Sequence, residues 1–162
     1  MIEHSDGLIF LHGLESSSQG YKARLLRHRL PAILTPDFTG TIEERMAQLA
    51  PIMATHATWS IIGSSFGGLM GALFACQHPQ RVTKLVLLAP ALTLPPFATT
   101  PPPPINVPVT IYHGQRDTVV PLEPTRTLAE QVFLNLTFHI VDDDHMLRTV
   151  VDMLDWQALL QS

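Results

Sequence analysis

The chain has 162 residues, 46% of them hydrophobic and 15% charged, with a formal net charge of −4. That length and composition suit one globular domain, residues 1–162, with a sizeable core, and exclude a disordered chain. The ten Lys and Arg residues are scattered apart from the stretch between Arg24 and Arg29, which argues against a nucleic-acid-binding face.

Strand and helix signals alternate from end to end, the pattern of a mostly parallel sheet covered on both faces. Residues 7–11 read as a first strand, ending in His12-Gly13-Leu14-Glu15-Ser16. Ser16, Ser17 and Ser18 form a polar loop suited to turning the chain, and residues 21–29 read as a helix. Residues 32–35 are a second strand, stopped by Pro36. A helix follows over 41–56, with Thr41 and Glu44 spaced as a capping box and Met46, Leu49 and Met53 at helical spacing.

Residues 58–62 are a third strand and 69–78 a helix. No charged side chain occurs from Ala57 through Gln80, but Gly63, Ser64, Ser65, Gly67 and Gly68 divide that interval. Each half is too short to cross about 30 Å of hydrocarbon, so no membrane span is expected. Residues 84–89 are a continuous apolar strand of the kind found at a sheet centre. Residues 90–108, rich in proline, read as a half-rigid insertion over one end of the sheet. A fifth strand lies in the run 107–112, a helix over about 123–135, a sixth strand over 136–141 and a last helix over about 146–160. Six strands in the order 2-1-3-4-5-6 would make a three-layer α/β/α sandwich. Its ligand cleft would open where the strand order reverses, between the first and third strands.

Gly63-Ser64-Ser65-Phe66-Gly67 sits at that reversal, between strand and helix. A Gly-x-Ser-x-Gly there is a tight turn that exposes the serine and leaves no room for side chains two positions either side. Ser64 is adjacent, but only Ser65 has glycine at both offsets. A serine hydroxyl needs a base to become a nucleophile. His145 is the candidate base and Asp117 its orienting acid; both follow apolar strands, in the chain order Ser, Asp, His. Asp142, Asp143 and Asp144 are alternative acids, with a solvated acidic loop as the simpler account. The backbone N–H groups of Leu14 and Phe66 are candidate oxyanion donors. His12 is expected to shape the oxyanion turn, and His113 to be structural. The eight histidines show no metal-ligand spacing, so no catalytic metal is expected.

These segments resemble the α/β-hydrolase superfamily along the whole chain. Leu11-His12-Gly13-Leu14-Glu15-Ser16-Ser17 and Gly63-Ser64-Ser65-Phe66-Gly67-Gly68 are similar to the small bacterial esterases of the YqiA type. The resemblance implies a minimal α/β-hydrolase fold and a carboxylic-ester or thioester hydrolase acting without a cofactor, with Ser65, Asp117 and His145 as its triad. The two N-terminal strands of larger members and a helical cap domain are not expected here.

The sequence therefore points to a serine hydrolase of small-molecule esters, with short to medium acyl chains. A thioesterase or amide hydrolase using the same residues is an alternative, as is a non-catalytic binding module of the same fold. Leu14, Phe66, Leu92, Leu94, Phe97, Val119 and Met146 are apolar and fall on strand-end loops. Of these, Leu94, Phe97, Val119 and Met146 are the candidate substrate-binding residues, although an ordinary core role fits Leu92 and Val119 equally well. Cys76, the single cysteine, leaves no internal disulfide and fits a reducing, cytoplasmic compartment. No export signal is expected from residues 1–6, and the oligomeric state is not encoded legibly.

Overall fold

The structure is a computed structural model that describes residues 6–161. His4 and most of the stretch read for an export signal lie outside the described residues. The elements, in chain order, are β1 (Asp6–Leu11), α1 (Tyr21–Arg29), α2 (Ile42–Met53), β2 (Thr58–Ser64) and α3 (Phe66–Gln77). They continue as β3 (Val82–Leu88), β4 (Ile105–Gly114), α4 (Leu122–Val132), β5 (Phe133–Val141), α5 (Arg148–Met153) and α6 (Trp156–Gln161).

The five strands form one parallel sheet in the order β1-β2-β3-β4-β5. Side-chain alternation divides the core into two layers. Ile9, Leu11, Trp59, Ile61, Leu85, Leu87, Val109 and Ile111 point to one face, where α2, α3 and α4 pack. Phe10, Ile62, Val86, Leu88 and Tyr112 point to the other, beneath α1, α5 and α6. The result is a three-layer α/β/α sandwich. α3 lies at its centre and is buried along most of its length, which explains why that helix carries no charge.

Two expected elements differ. The second of six strands is reduced to a single parallel bridge, Leu34 to Ile9, beside β1. Phe10 N–H donates to Leu34 O and Leu34 N–H to Leu8 O, and pairing goes no further. Pro31 and Pro36 flank this stretch, and neither can donate to a ladder. The sheet thus has five strands, with the bridge in the place of the missing edge strand. The last helix is broken in two at Leu154, whose backbone is extended. Asp155 then accepts the N–H of Ala158, so α6 begins afresh. The break allows Trp156 to turn inward, bury its ring and donate its Nε1–H to Val151 O.

Boundaries elsewhere shift for local reasons. β4 starts at Ile105 and includes Pro108, with an irregular register against β5 between those residues. The chain between β3 and β4 is a series of turns over residues 92–100 rather than extended throughout. β5 starts at Phe133, directly after α4, so the expected helix was too long.

The capping box at α2 is complete: Glu44 N–H donates to Thr41 Oγ1 at 3.1 Å and Thr41 N–H to Glu44 Oε1 at 2.9 Å. Thr41→Ala is expected to lower unfolding free energy by about 1 kcal/mol. A urea titration checks this; an unchanged midpoint would mean the cap is not holding the helix end.

Candidate active site

Leu11 pairs with Gly63 in the β1–β2 register, so the C-terminal ends of these neighbouring strands are level. Ser65 follows β2 immediately, with φ 54° and ψ −113°. That is the conformation of the first central residue of a type II′ turn, where glycine is usual. For a serine it stores about 1–3 kcal/mol, which surrounding contacts must hold. Ser65 N–H donates to Leu88 O at 2.9 Å, while Ser65 O accepts from Leu69 N–H at 3.1 Å and Ala91 N–H at 2.9 Å. A Cβ on Gly63 would lie 2.5 Å from the Gly67 carbonyl oxygen, and one on Gly67 would overlap the Leu11 carbonyl. Close backbone approach, rather than unusual dihedrals, therefore demands glycine at both offsets.

Asp117 lies in the turn after β4 with its side chain fully buried. Its Oδ1 accepts N–H bonds from Val119 and Val120, both at 2.8 Å, and its Oδ2 accepts from His145 Nδ1 at 2.7 Å. Burial pushes the carboxyl pKa up, but the bonds from His145, Val120 and Val119 outweigh it, and Asp117 sits below the usual aspartate value. An ionised carboxylate can only accept, so Nδ1 of His145 carries the hydrogen and Nε2 presents its lone pair. Ser65 Oγ lies 3.2 Å from that Nε2. Residues 65, 117 and 145 thus form one hydrogen-bonded row.

His113 adds a fourth member on the buried side. Its Nε2–H donates to Val120 O at 3.0 Å and lies 3.4 Å from Asp117 Oδ2. Among the described residues its buried Nδ1 has no hydrogen-bond partner. Burial holds this imidazole below its ordinary pKa, which favours the neutral ring. The three aspartates before His145 are engaged elsewhere. Asp142 pairs with Arg116, Asp143 accepts from Asp144 N–H and Val150 N–H, and Asp144 accepts from Met146 N–H.

The row opens on a cavity of about 660 Å³. Leu14 and Phe66 both line it, and Phe66 is the first residue of α3, where N–H groups lack intrahelical acceptors. His12 braces the Leu14 loop: its Nε2 accepts Phe38 N–H at 2.9 Å, so its Nδ1–H donates to Gly13 O at 2.7 Å. Leu94, Val119 and Met146 line the cavity and are partly exposed at its mouth. Phe97 does not; with Leu92 it is wholly buried, and its ring packs on Phe133 with centroids 6.2 Å apart. The turns after β3 fold this ring into the core, where its apolar area is removed from water. Phe97 is therefore corrected from a cavity residue to a core residue.

Two residues of the site were not singled out from sequence. Arg45 of α2 is 3% exposed, donates from Nη2 to Leu14 O at 3.3 Å and from Nε to Gly40 O at 3.0 Å, and lies 5.1 Å from the centre of the Phe66 ring. It touches both candidate oxyanion residues. The available signal was its spacing, since Arg45, Leu49 and Met53 share one buried stripe of α2. Lys22 of α1 also lines the cavity. Cys76 is not poised to react, because burial pushes its thiol up to about 12. Among the described residues, no group of three His, Cys, Asp or Glu side chains is placed to hold a metal ion.

Because the folded chain binds the Asp117 proton less tightly than the unfolded chain, Asp117 contributes stability above its ordinary pKa of about 3.9. That contribution is lost as pH falls through the lower folded value. The stability gap between wild type and Asp117→Asn is expected to narrow below about pH 4. Urea midpoints at stepped pH check this, and a gap that stays constant would refute it.

Comparison with known proteins adds the family context. The sequence profile of a family described as "alpha/beta hydrolase fold" matches residues 53–106. No curated protein matches the sequence significantly. Among solved structures, the mouse alpha/beta hydrolase domain-containing protein 10 is similar at 19% identity and a TM-score of 0.75, over 96% of this chain and 90% of that one. Est1E from Butyrivibrio proteoclasticus, solved with ferulic acid bound, is similar at 15% identity and a TM-score of 0.74, over 96% and 89%. The Pyrococcus furiosus esterase Pf2001 is similar at 18% identity and a TM-score of 0.67, over 97% and 80%.

Proposed function

Taking the α/β-hydrolase fold of this chain as the premise, we propose that it is a serine hydrolase that cleaves carboxylic esters through an acyl-enzyme on Ser65. The observation that carries this reading is the unbroken row from Ser65 Oγ through His145 to the buried Asp117 carboxylate, at the wall of an open cavity. Similarity to solved esterases supports it.

Ser65 Oγ attacks the ester carbonyl carbon as its proton passes to His145 Nε2. Asp117 stabilises the imidazolium that results. The N–H groups of Phe66 and Leu14 hold the oxyanion of the tetrahedral intermediate, each worth about 2.7–4 kcal/mol in systems of this kind. His145 then protonates the departing alcohol, leaving Ser65 acylated. Water attacks the acyl carbon, giving its proton to the same Nε2. Collapse releases the carboxylic acid and returns the proton to Ser65 Oγ.

The partly exposed mouth of the cavity, which would leave the far end of a long chain in contact with water, supports short to medium acyl chains. Cys76 as sole cysteine supports a reducing, cytoplasmic setting. Among the described residues no helix is long and apolar enough to cross a membrane.

A fluorophosphonate probe is expected to label wild type and not Ser65→Ala, whose turnover falls roughly 10⁴-fold or more. Labelling that survives the substitution would displace Ser65 as nucleophile, and an unlabelled wild type would favour a binding module. Across 4-nitrophenyl esters from acetyl to palmitoyl, kcat/KM is expected to peak well before the long chains. A maximum at palmitoyl would defeat the size argument.

A further inference from the structure

The cavity wall contains one lysine or arginine, and the acyl-transfer chemistry above has no use for it. Lys22, second residue of α1, lines the same cavity as Ser65 and His145. Among the described residues it makes no ion pair. Its neighbours Asp143 and Asp144 are committed to backbone N–H groups of their own loop. Burial, aided by the charge of Arg148, pushes Lys22 down to about 8 against the opposing pull of Asp144 and Asp143. An ammonium group half out of water without a close counter-ion is costly, and a bound anion would offset that cost. The start of α1 points the same way: its first turn has no acidic residue and Gly20 provides no side-chain cap. No side chain of α1 or of its N-cap therefore offsets the positive end of the helix dipole beside the cavity. Arg148 lies over the Tyr21 ring at 4.9 Å, on the same flank.

We propose that Lys22 is a specificity-determining residue that pairs with an anionic group on the substrate, so that the preferred esters carry a carboxylate on their acyl or alcohol side. This rests on the hydrolase reading and narrows it. The apolar side chains at the cavity mouth hold the body of the ester, while Lys22 takes the charged end.

Two matched ester pairs test it and separate the two sides. Mono-4-nitrophenyl glutarate against 4-nitrophenyl pentanoate puts the charge on the acyl side, and 4-butyryloxybenzoate against its methyl ester puts it on the alcohol side. Wild type is expected to favour the anionic member of one pair by about tenfold or more in kcat/KM, the effect of one charged hydrogen bond. Lys22→Met is expected to abolish that ratio and Lys22→Arg to retain most of it. Each ratio compares two substrates on one protein, so partial misfolding cancels. Should Lys22→Met not fold, wild type alone decides, because its preference for the anion is expected to fade as pH rises through about 8. Glu15 and Tyr21 line the same cavity, and Asp143, Asp144, His145 and Arg148 are the other charged or titratable groups near Lys22; the carboxylates among them oppose an anion, so the Lys22→Met comparison, which leaves them all in place, isolates the lysine. A wild type that favours the neutral ester in both pairs, or a ratio that Lys22→Met leaves unchanged, overturns the proposal. Failure of every ester together with an unlabelled Ser65 counts against the hydrolase reading instead. In that event calorimetry with glutarate on Ser65→Ala and on Ser65→Ala with Lys22→Met still decides: weaker binding to the double variant supports the anion site, and equal binding overturns it.

Discussion

The site depends on how closely the beginning of α3 is pressed onto the ends of β1 and β2. Gly67 lies so near the Leu11 carbonyl, and Gly63 so near the Gly67 carbonyl, that neither position can hold even a methyl group. That contact fixes where Ser65 stands relative to the His12–Leu14 loop. It also places Phe66 as the first residue of a helix whose opening N–H groups have no intrahelical acceptor. A packing constraint between backbones thus positions both a hydroxyl and a set of free donors.

The opposite wall is built from hydrogen bonds instead of contact. Asp117 is held by two backbone N–H groups of its own turn before His145 is counted, so its orientation does not rely on the histidine. His113 fastens that turn through Val120 O and reaches toward the same carboxylate. Arg45 does the comparable task across the cavity, tying Leu14 to α2 while its guanidinium covers Phe66. Both supporting residues are buried and each leaves one nitrogen without a partner among the described residues. Such groups reduce stability, and their contacts with the site offer a reason for their presence.

Much of this was legible in the chain. Layering followed from the alternation of apolar strands and helices, because burial on both faces of a parallel sheet leaves continuous runs such as residues 84–89. The capping box at Thr41 and the elbow at Ser65 could be placed because steric and hydrogen-bonding demands there are local. Elements that depend on distant contacts are not legible in the same way. Residues 32–35 have strand character, yet prolines on either side restrict them to one bridge. The last helix reads as continuous until the ring of Trp156 finds its place in the core. Phe97 could be assigned to rim or interior only by knowing which way the turns after β3 fold. Arg45 and Lys22 do not stand out in the sequence because charged side chains on helices usually face solvent, and only the packing of α2 and α1 shows that these do not.

The backbone at Ser65 has a consequence beyond chemistry. At a φ of 54° and ψ of −113° the main chain there is content only with the residue that lacks a side chain. The fold and the proposed reaction therefore want different amino acids at one position. Glycine at 65 would relieve the backbone and remove the hydroxyl in a single change. A hydroxyl at so uncomfortable a point is what the role proposed for Ser65 would require.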